Sequence, residues 1–314
     1  MHKIFIDGSA GTTGLRIRER LSSRKDIELL TLPEELRKDT SARAEMLNKS
    51  DISFLCLPDQ AAVEAVSLID DPDTVVIDTS TAHRTADGWT YGMPELTGLR
   101  EQLSTASRIA NPGCHASGFI ALVRPLVELG ILDKGVQLAC YSLTGYSGGG
   151  KKMIADYEAE GRDKLLDAPR VYALSQSHKH LPEMKLVCGL DKEPVFSPIV
   201  ASYYSGMEVC VSLTRQDISR DGFSASLSDI QAAYRDYYKS GLIHYDDSVE
   251  GGFISAAAYS GRDDMAVAAF GNDDRITLIS RFDNLGKGAS GAAIQNMNIR
   301  LGLDEAEGLI ASLS

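Results

Sequence analysis

The chain has 314 residues, about two domains at roughly 150 residues each and long enough to bury sizeable cores. Against 44 Asp and Glu there are only 32 Lys and Arg, so the formal charge is −12 with no basic run, and the phosphate-neutralising surface of a general DNA or RNA binder is excluded. A hydrophobic share of 43% beside 24% charged residues excludes a disordered chain and fits a packed globular protein.

Lys3 to Asp7 predicts a short buried strand, with an apolar run too short for a secretory segment, so the chain reads as cytoplasmic. It leads into Gly8-Ser9-Ala10-Gly11-Thr12-Thr13-Gly14. Beyond that loop, Leu15, Ile17 and Leu21 among Arg16, Arg18, Glu19 and Arg20 predict a helix. Ile27 to Leu32 predicts a second strand. Asp51 to Leu57 and Thr74 to Asp78 predict two more, separated by a helical stretch from Gln60 to Ile69. This alternation marks βαβ units around a parallel sheet, and residues 1–112 are expected to form a dinucleotide-binding domain. Gly8, Gly11 and Gly14 would let backbone approach a pyrophosphate, while the helix start offers free N–H groups and its positive dipole end, with Thr12 and Thr13 adding hydroxyls. A tight strand-to-helix turn is the plain alternative. No Asp ends the second strand at Leu30-Thr31-Leu32-Pro33, where an acid would bind the NAD ribose. Arg37 and Lys38 follow, which points to NADP unless they belong to a solvated loop.

Asn111-Pro112-Gly113 forms a turn that opens a long apolar run from Ala116 to Leu132, and Pro125 is expected to kink or divide the helix there. Arg124, Pro125 and Glu128 interrupt this run, so no stretch approaches the roughly 20 apolar residues of a membrane span. Val136 to Thr144, Val187 to Leu190, Pro198 to Tyr204 and Glu208 to Leu213 predict strands of a mixed sheet in a second domain spanning 113–285. Residues 286–314 return to helical spacing through Ala293, Ile294, Met297 and Leu301, as a helix expected to pack on the first domain.

Five cysteines form an odd set with no CxxC pair, so neither a disulfide framework nor a zinc site is indicated. Cys56, Cys140, Cys188 and Cys210 read as core thiols. Cys114 differs, because a cysteine at the start of a helix meets free N–H groups and the positive dipole end, which favour thiolate and could also hold an oxyanion. A small buried residue at a turn is the alternative. A thiolate nucleophile needs an acid/base partner. Among six histidines, His178 and His180 in His178-Lys179-His180-Leu181-Pro182-Glu183 are better placed than His2, His83, His115 or His244. No third ligand stands at a diagnostic spacing from them, so no metal is expected.

With the glycine loop, NPGC at 111–114 and HKHLPE at 178–183 in this order, the chain resembles the N-acetyl-gamma-glutamyl-phosphate reductases of the shorter sequence type. The likeness covers nearly the whole length, through IFIDGSAGTTGLRIRERL at 4–21, DTSTAHRT at 78–85, YGMPEL at 91–96, YSGGGK at 146–151 and DNLGKGASGAAIQNMN at 283–298. It implies an α/β fold, a Rossmann-type parallel-sheet domain followed by a mixed α/β catalytic and oligomerisation domain of the semialdehyde and glyceraldehyde-3-phosphate dehydrogenase type. It also implies NADPH-dependent reduction of N-acetyl-glutamyl 5-phosphate to N-acetylglutamate 5-semialdehyde plus phosphate, in arginine biosynthesis. Carried over residue by residue, Cys114 is the nucleophile and His180 the acid/base, with His115 a second imidazole beside the thiol. Gly8, Ser9, Gly11, Thr12, Thr13 and Gly14 hold the NADP phosphates, with Ser80, Asn284, Gly286 and Lys287 also toward the cofactor; Arg84, Ser147 and Lys151 serve the substrate. The resemblance implies a homodimer or homotetramer with a small-molecule substrate and neither nucleic acid nor membrane as partner. Three alternatives from other classes are a reductase of a different acyl phosphate such as aspartyl phosphate, a cysteine hydrolase, and a non-enzymatic NADP-binding protein.

Overall fold

Apolar residues at every position, as in Ile4-Phe5-Ile6 and Val75-Val76-Ile77, suit strands covered on both faces, the environment of a parallel sheet between helices. In the computed structural model, which describes residues 1–220 and 222–311, these runs lie in one of two compact units, formed by residues 1–113 and 289–310; residues 114–288 form the other. The first unit contains β1 (His2–Asp7), α1 (Thr12–Leu21), β2 (Ile27–Leu30), α2 (Thr40–Lys49), β3 (Ile52–Leu55) and α3 (Asp59–Ser67). It continues with β4 (Val75–Asp78), β5 (Thr90–Tyr91), α4 (Leu99–Thr105) and β6 (Arg108–Ala110). The strands pair in parallel in the order β2-β1-β3-β4-β6-β5. Strand order reverses direction at β1, so a crevice opens beyond its carboxyl end, where the glycine loop lies.

The two-residue period of a strand divides the core of this unit. Ile4, Ile6, Phe54 and Ile77 pack with Ile17 and Leu21 of α1 and with Ala293, Ile294 and Met297 of the C-terminal segment. Phe5, Leu55 and Val76 point the other way, against Leu47, Ala62 and Ala65 of α2 and α3.

The second unit begins with α5 (Cys114–Glu128), β7 (Ala139–Gly145), α6 (Gly150–Glu158), β8 (Arg170–Val171), α7 (Leu181–Cys188), β9 (Val195–Ala201) and β10 (Met207–Thr214). A short pair, β11 (Ser219–Arg220) and β12 (Phe223–Ser224), precedes α8 (Leu227–Tyr237), β13 (Ile243–Tyr245), β14 (Met265–Asn272) and β15 (Arg275–Phe282). A π-turn over Gly286–Ser290 then leads the chain into α9 (Gly291–Arg300), in the first unit. The large sheet runs β13-β14-β15-β10-β7-β9-β8 and is mixed: β7 with β9 and β13 with β14 are parallel, the other pairs antiparallel.

Two expectations from the sequence are corrected here. Of the kink or division expected at Pro125, the division does not occur, and α5 continues through it to Glu128. A proline cannot donate to the carbonyl four residues back, so the Ala121 carbonyl needs another donor, and the Tyr238 hydroxyl supplies it at 2.8 Å; Tyr234 donates to the next carbonyl, Leu122, at 2.6 Å. Val187 to Leu190 is not a strand but the end of α7, stopped by Gly189 at φ +70°. Short apolar runs fit either period, and here Pro182 at the helix start and Gly189 at its end decide it. Among the described residues no helix is long and apolar enough to cross a membrane.

Candidate active site

In the first unit, Gly8 and Gly14 are fixed by packing. Gly8 has φ +87°, and a side chain there would stand 2.3 Å from the Cys56 carbonyl oxygen; one at Gly14 would stand 2.6 Å from the Gly8 oxygen. Gly11 differs, with nothing nearer than 3.5 Å, so the fold itself leaves room above it. α1 starts at Thr12 with no side-chain cap and no acidic residue in its first turn, leaving N–H groups and the positive dipole end to an anion. Beside the loop a cleft of about 550 Å³ is lined by residues including Gly8, Ser9, Leu30, Arg37, Lys38 and Arg43. Asp7 is buried in its wall, and burial pushes its carboxyl above the usual range despite Arg43, whose Nε and Nη2 donate to it at 3.0 and 2.9 Å. Arg43 thereby offsets a negative charge beside the phosphate-sized turn. The loop, the open position at Gly11 and the basic cleft fit a dinucleotide.

Further along this unit, Ser80 donates to buried Asp78 at 2.7 Å and accepts from Ala82 N–H at 3.2 Å. His83 Nδ1 lies 2.6 Å from the same carboxylate, and its ring stacks on Trp89 at 4.0 Å. Arg84 donates to the Asn111 and Thr79 carbonyls, each at 3.0 Å.

In the second unit, Cys114 is the first residue of α5, half-buried, with no acidic residue in the first turn. Beside it in sequence, buried His115 meets Ser142 Oγ of β7 through Nδ1 and the Tyr172 hydroxyl through Nε2, both at 2.7 Å. Burial, with the neighbouring His178, pushes the His115 imidazole down to about 3. With both nitrogens occupied and its charged form disfavoured by burial, the His115 ring is held neutral and in place. Burial and the charge of Cys114 push the Tyr172 phenol up, which ties that hydroxyl electrostatically to the thiol.

His180, buried, occupies the N-cap position of α7, with no capping bond from its side chain. Its ring centroid is 5.6 Å from that of His115 and 4.7 Å from that of His178, and its N–H donates to His178 Nδ1 at 3.2 Å. Phe196 of β9 presents an edge contact to both His115 and His178, at 5.3 and 5.2 Å. On another side, Gly288 lies so close that a side chain there would stand 3.0 Å from Cys114 Cβ. The remaining thiols are held protonated by burial, Cys56 pushed up to about 12, Cys210 to about 11, and Cys140 and Cys188 upward as well.

Ser147 and Asn284 are brought together, Asn284 Nδ2 donating to Ser147 Oγ at 3.0 Å while its Oδ1 accepts from Gly206 N–H at 3.0 Å. Gly286 is required by space, since a side chain would stand 1.9 Å from the Arg262 oxygen. Lys287 is buried in the same turn, and Lys151 is exposed at the start of α6. Asn284, Gly286 and Lys287 thus lie in the second unit, whereas the glycine loop, Ser80 and Arg84 lie in the first. Ser142, Tyr172, Arg43 and the Asp78–His83 pair escaped the sequence reading. Ser142 and Tyr172 are 27 and 57 residues from His115 and belong to no motif, while only the GKG at 286–288 pointed toward Gly288. No group of three or more His, Cys, Asp or Glu among the described residues is arranged to hold a metal ion.

Residues 3–106 match the semialdehyde dehydrogenase NAD binding domain, and residues 114–284 the semialdehyde dehydrogenase dimerisation domain. Among solved structures, aspartate semialdehyde dehydrogenase II of Vibrio cholerae, complexed with ASA, superposes with a TM-score of 0.71 at 14% identity, covering 96% of this chain and 98% of that one. The aspartate semialdehyde dehydrogenase of Candida albicans, solved with NADP, gives 0.70 at 16% identity, covering 96% and 100%. At such identity these establish the fold, a Rossmann-type domain followed by a mixed α/β domain. Closer in sequence is N-acetyl-gamma-glutamyl-phosphate reductase 2 of Nostoc sp., 43% identical over 98% of this chain and 99% of its own length. The N-acetyl-gamma-glutamyl-phosphate reductase of Mesorhizobium japonicum is 45% identical over 96% and 99%. Identity at this level over nearly the full length shows that the chain belongs to the N-acetyl-gamma-glutamyl-phosphate reductase family of nicotinamide-dependent oxidoreductases.

Proposed function

We propose that the chain reduces N-acetyl-glutamyl 5-phosphate to N-acetylglutamate 5-semialdehyde with NADPH, releasing phosphate through a thioester on Cys114, as a step of arginine biosynthesis. The observation that carries this reading is the thiol at the first turn of α5 in the same unit as a buried cluster of imidazoles that includes His180. His180 takes the Cys114 proton, and the sulfur attacks the acyl carbon while the first-turn N–H groups of α5 support the oxygen that becomes negative. The bond from that carbon to the phosphate oxygen breaks, leaving the acyl group on sulfur. When bound, a nicotinamide dinucleotide would supply the hydride that takes the acyl carbon to the aldehyde level. The carbon–sulfur bond then breaks, the thiolate is restored and the aldehyde leaves, with the imidazolium of His180 donating to the carbonyl oxygen while it carries charge. His115, neutral and doubly bonded, keeps its ring fixed beside the cluster.

Gly8, Ser9, Gly11, Thr12, Thr13 and Gly14 would hold the dinucleotide phosphates, and Arg37 and Lys38 at the cleft favour the 2′-phosphate of NADP. Ser80, Asn284, Gly286 and Lys287 complete the cofactor set. Ser147, Lys151 and Arg84 serve the anionic acyl phosphate. The first unit would carry the dinucleotide and the second the covalent chemistry and self-association, the latter supported by the dimerisation-domain match and giving a homodimer or homotetramer. The test is Cys114→Ser: turnover is expected to fall by about 10³-fold or more, with NADPH binding by fluorescence unchanged. Substantial turnover in that variant would contradict the covalent route.

A further inference from the structure

Within the second unit, the segment that joins β8 to α7 holds Ala173 at φ +52° and Gln176 at φ +55°, which among the described residues are the positive-φ positions not taken by glycine. Left-handed backbone is unfavourable for a residue with a Cβ and persists where its surroundings hold it. Here a side chain holds it by standing in for a strand. β8 pairs Arg170 with Val200 and Val171 with Ile199, and Tyr172 N–H still donates to the Pro198 carbonyl at 3.0 Å. Pro198 has no N–H to return, and the chain turns away, Gln176 N–H donating to the Ala173 carbonyl at 3.0 Å. The same register would bring Leu174 opposite Phe196. Instead the Gln176 carboxamide takes both backbone groups of Phe196, Nε2 donating to its carbonyl at 2.7 Å and Oε1 accepting from its N–H at 2.8 Å.

This anchored turn carries the rings of the site. Tyr172, at its start, bonds His115 Nε2 at 2.7 Å. His178 and His180 follow Gln176 by two and four residues, and their ring centroids lie 5.7 and 5.6 Å from that of His115. Phe196, whose backbone the carboxamide grips, sets its ring against His178 at 5.2 Å and His115 at 5.3 Å. Cys114 immediately precedes His115 at the start of α5, in the same unit. We infer that Gln176 is a positioning residue, whose paired bonds to Phe196 fix the turn that holds His178 and His180 against His115, next to the thiol. This inference rests on Cys114 being the nucleophile and His180 its acid/base. Gln176 is itself exposed, so its replacement leaves the core intact. Proton transfer and attack tolerate little displacement of the groups involved, and a shift of an ångström costs on the order of 100-fold in rate.

Two substitutions separate the bonds from the backbone conformation. Gln176→Met keeps the length of the side chain and loses both bonds, whereas Gln176→Asn suits left-handed backbone but is one methylene too short to reach Phe196 as Gln176 does. Each would be compared with the unsubstituted chain in the phosphate-dependent reduction of NADP by N-acetylglutamate semialdehyde, in the rate of Cys114 alkylation by iodoacetamide from pH 6 to 10, and in thermal midpoint. Both variants are expected to lower kcat by about tenfold or more while KM for phosphate and NADP stays within about twofold. The alkylation profile should move to higher pH, since a displaced imidazole no longer favours the thiolate, with the thermal midpoint nearly unchanged. Unchanged kcat and alkylation in both variants would overturn the positioning role. So would a lowered thermal midpoint with normal kcat, which marks a purely structural tie, or a raised KM for the aldehyde with normal kcat, which marks a substrate contact. If the unsubstituted chain turns over no semialdehyde, the functional reading fails by itself, and the alkylation profiles still decide whether Gln176 sets the imidazoles beside the thiol.

Discussion

His115 is a buried ring held at both nitrogens, by Ser142 and Tyr172. Folded, it stays neutral down to about pH 3, whereas in the unfolded chain it takes up a proton near its ordinary 6.5. The unfolded state binds more protons throughout that window, so this residue contributes stability above pH 6.5 that is lost as pH falls toward 3, about 2 kcal/mol of it by pH 5. Denaturant unfolding at pH 7.5 and 5.0 is expected to show that loss in the unsubstituted chain and a correspondingly shallower loss in His115→Asn; equal slopes would contradict the account. Cys114 was conspicuous in the sequence because a turn ending in cysteine before an apolar helix already specifies its surroundings. The partners of His115 were not, because Ser142 comes from a strand and Tyr172 from the loop before α7, and only the folded sheet brings them to the ring.

Helix α5 shows the same relation among elements. Its proline was plain in the sequence, and a kink or a break was the expectation, but the consequence depended on a tyrosine 113 positions later in the numbering, whose hydroxyl caps the orphaned carbonyl of Ala121. Tyr238→Phe is expected to destabilise the fold by about 1–2 kcal/mol, since it removes a buried bond and leaves the acceptor unsatisfied. The same substitution should cost less in a Pro125→Ala background, where a backbone N–H is restored within the helix; a double-mutant cycle with no coupling would refute this. Strands with apolar residues on both faces, such as β3 and β4, were legible because few other structures bury both faces. Helix α2 was not, because it buries only Arg43 and Leu47 and so shows little periodicity, although Asp39, which accepts from Ala42 N–H at 2.8 Å, was there as its cap. Val187 to Leu190 misled for the related reason that four apolar residues carry no period.

For the whole molecule, a protein of net charge −12 handling an anionic cofactor must concentrate positive potential locally, and the cleft beside the glycine loop, lined by Arg37 and Lys38 with Arg43 offsetting Asp7, is the place proposed for it in the first unit. The glycines there have different duties. Gly14→Ala should destabilise the fold, because its side chain would meet the Gly8 backbone at 2.6 Å, whereas Gly11→Ala should fold normally and raise KM for NADPH by about tenfold or more. Equal thermal stability of the two variants, or an unchanged KM in Gly11→Ala, would contradict this division. The unit order and the motif loops were legible from alternating strands, helices and glycines. The ion pair in the cleft wall was not, because Asp7 and Arg43 are 36 residues apart and only the sheet's carboxyl edge joins them. The proposed reaction exchanges a phosphate for a hydride at the side-chain carbonyl of N-acetylglutamate. The most direct measurement is the absorbance rise of NADPH when N-acetylglutamate semialdehyde, NADP and phosphate are supplied, repeated with aspartate semialdehyde, with NAD, and without phosphate. Turnover is expected to require phosphate, NADP and the acetylated aldehyde together. Turnover with aspartate semialdehyde instead, or none with either aldehyde while NADPH still binds, would contradict it.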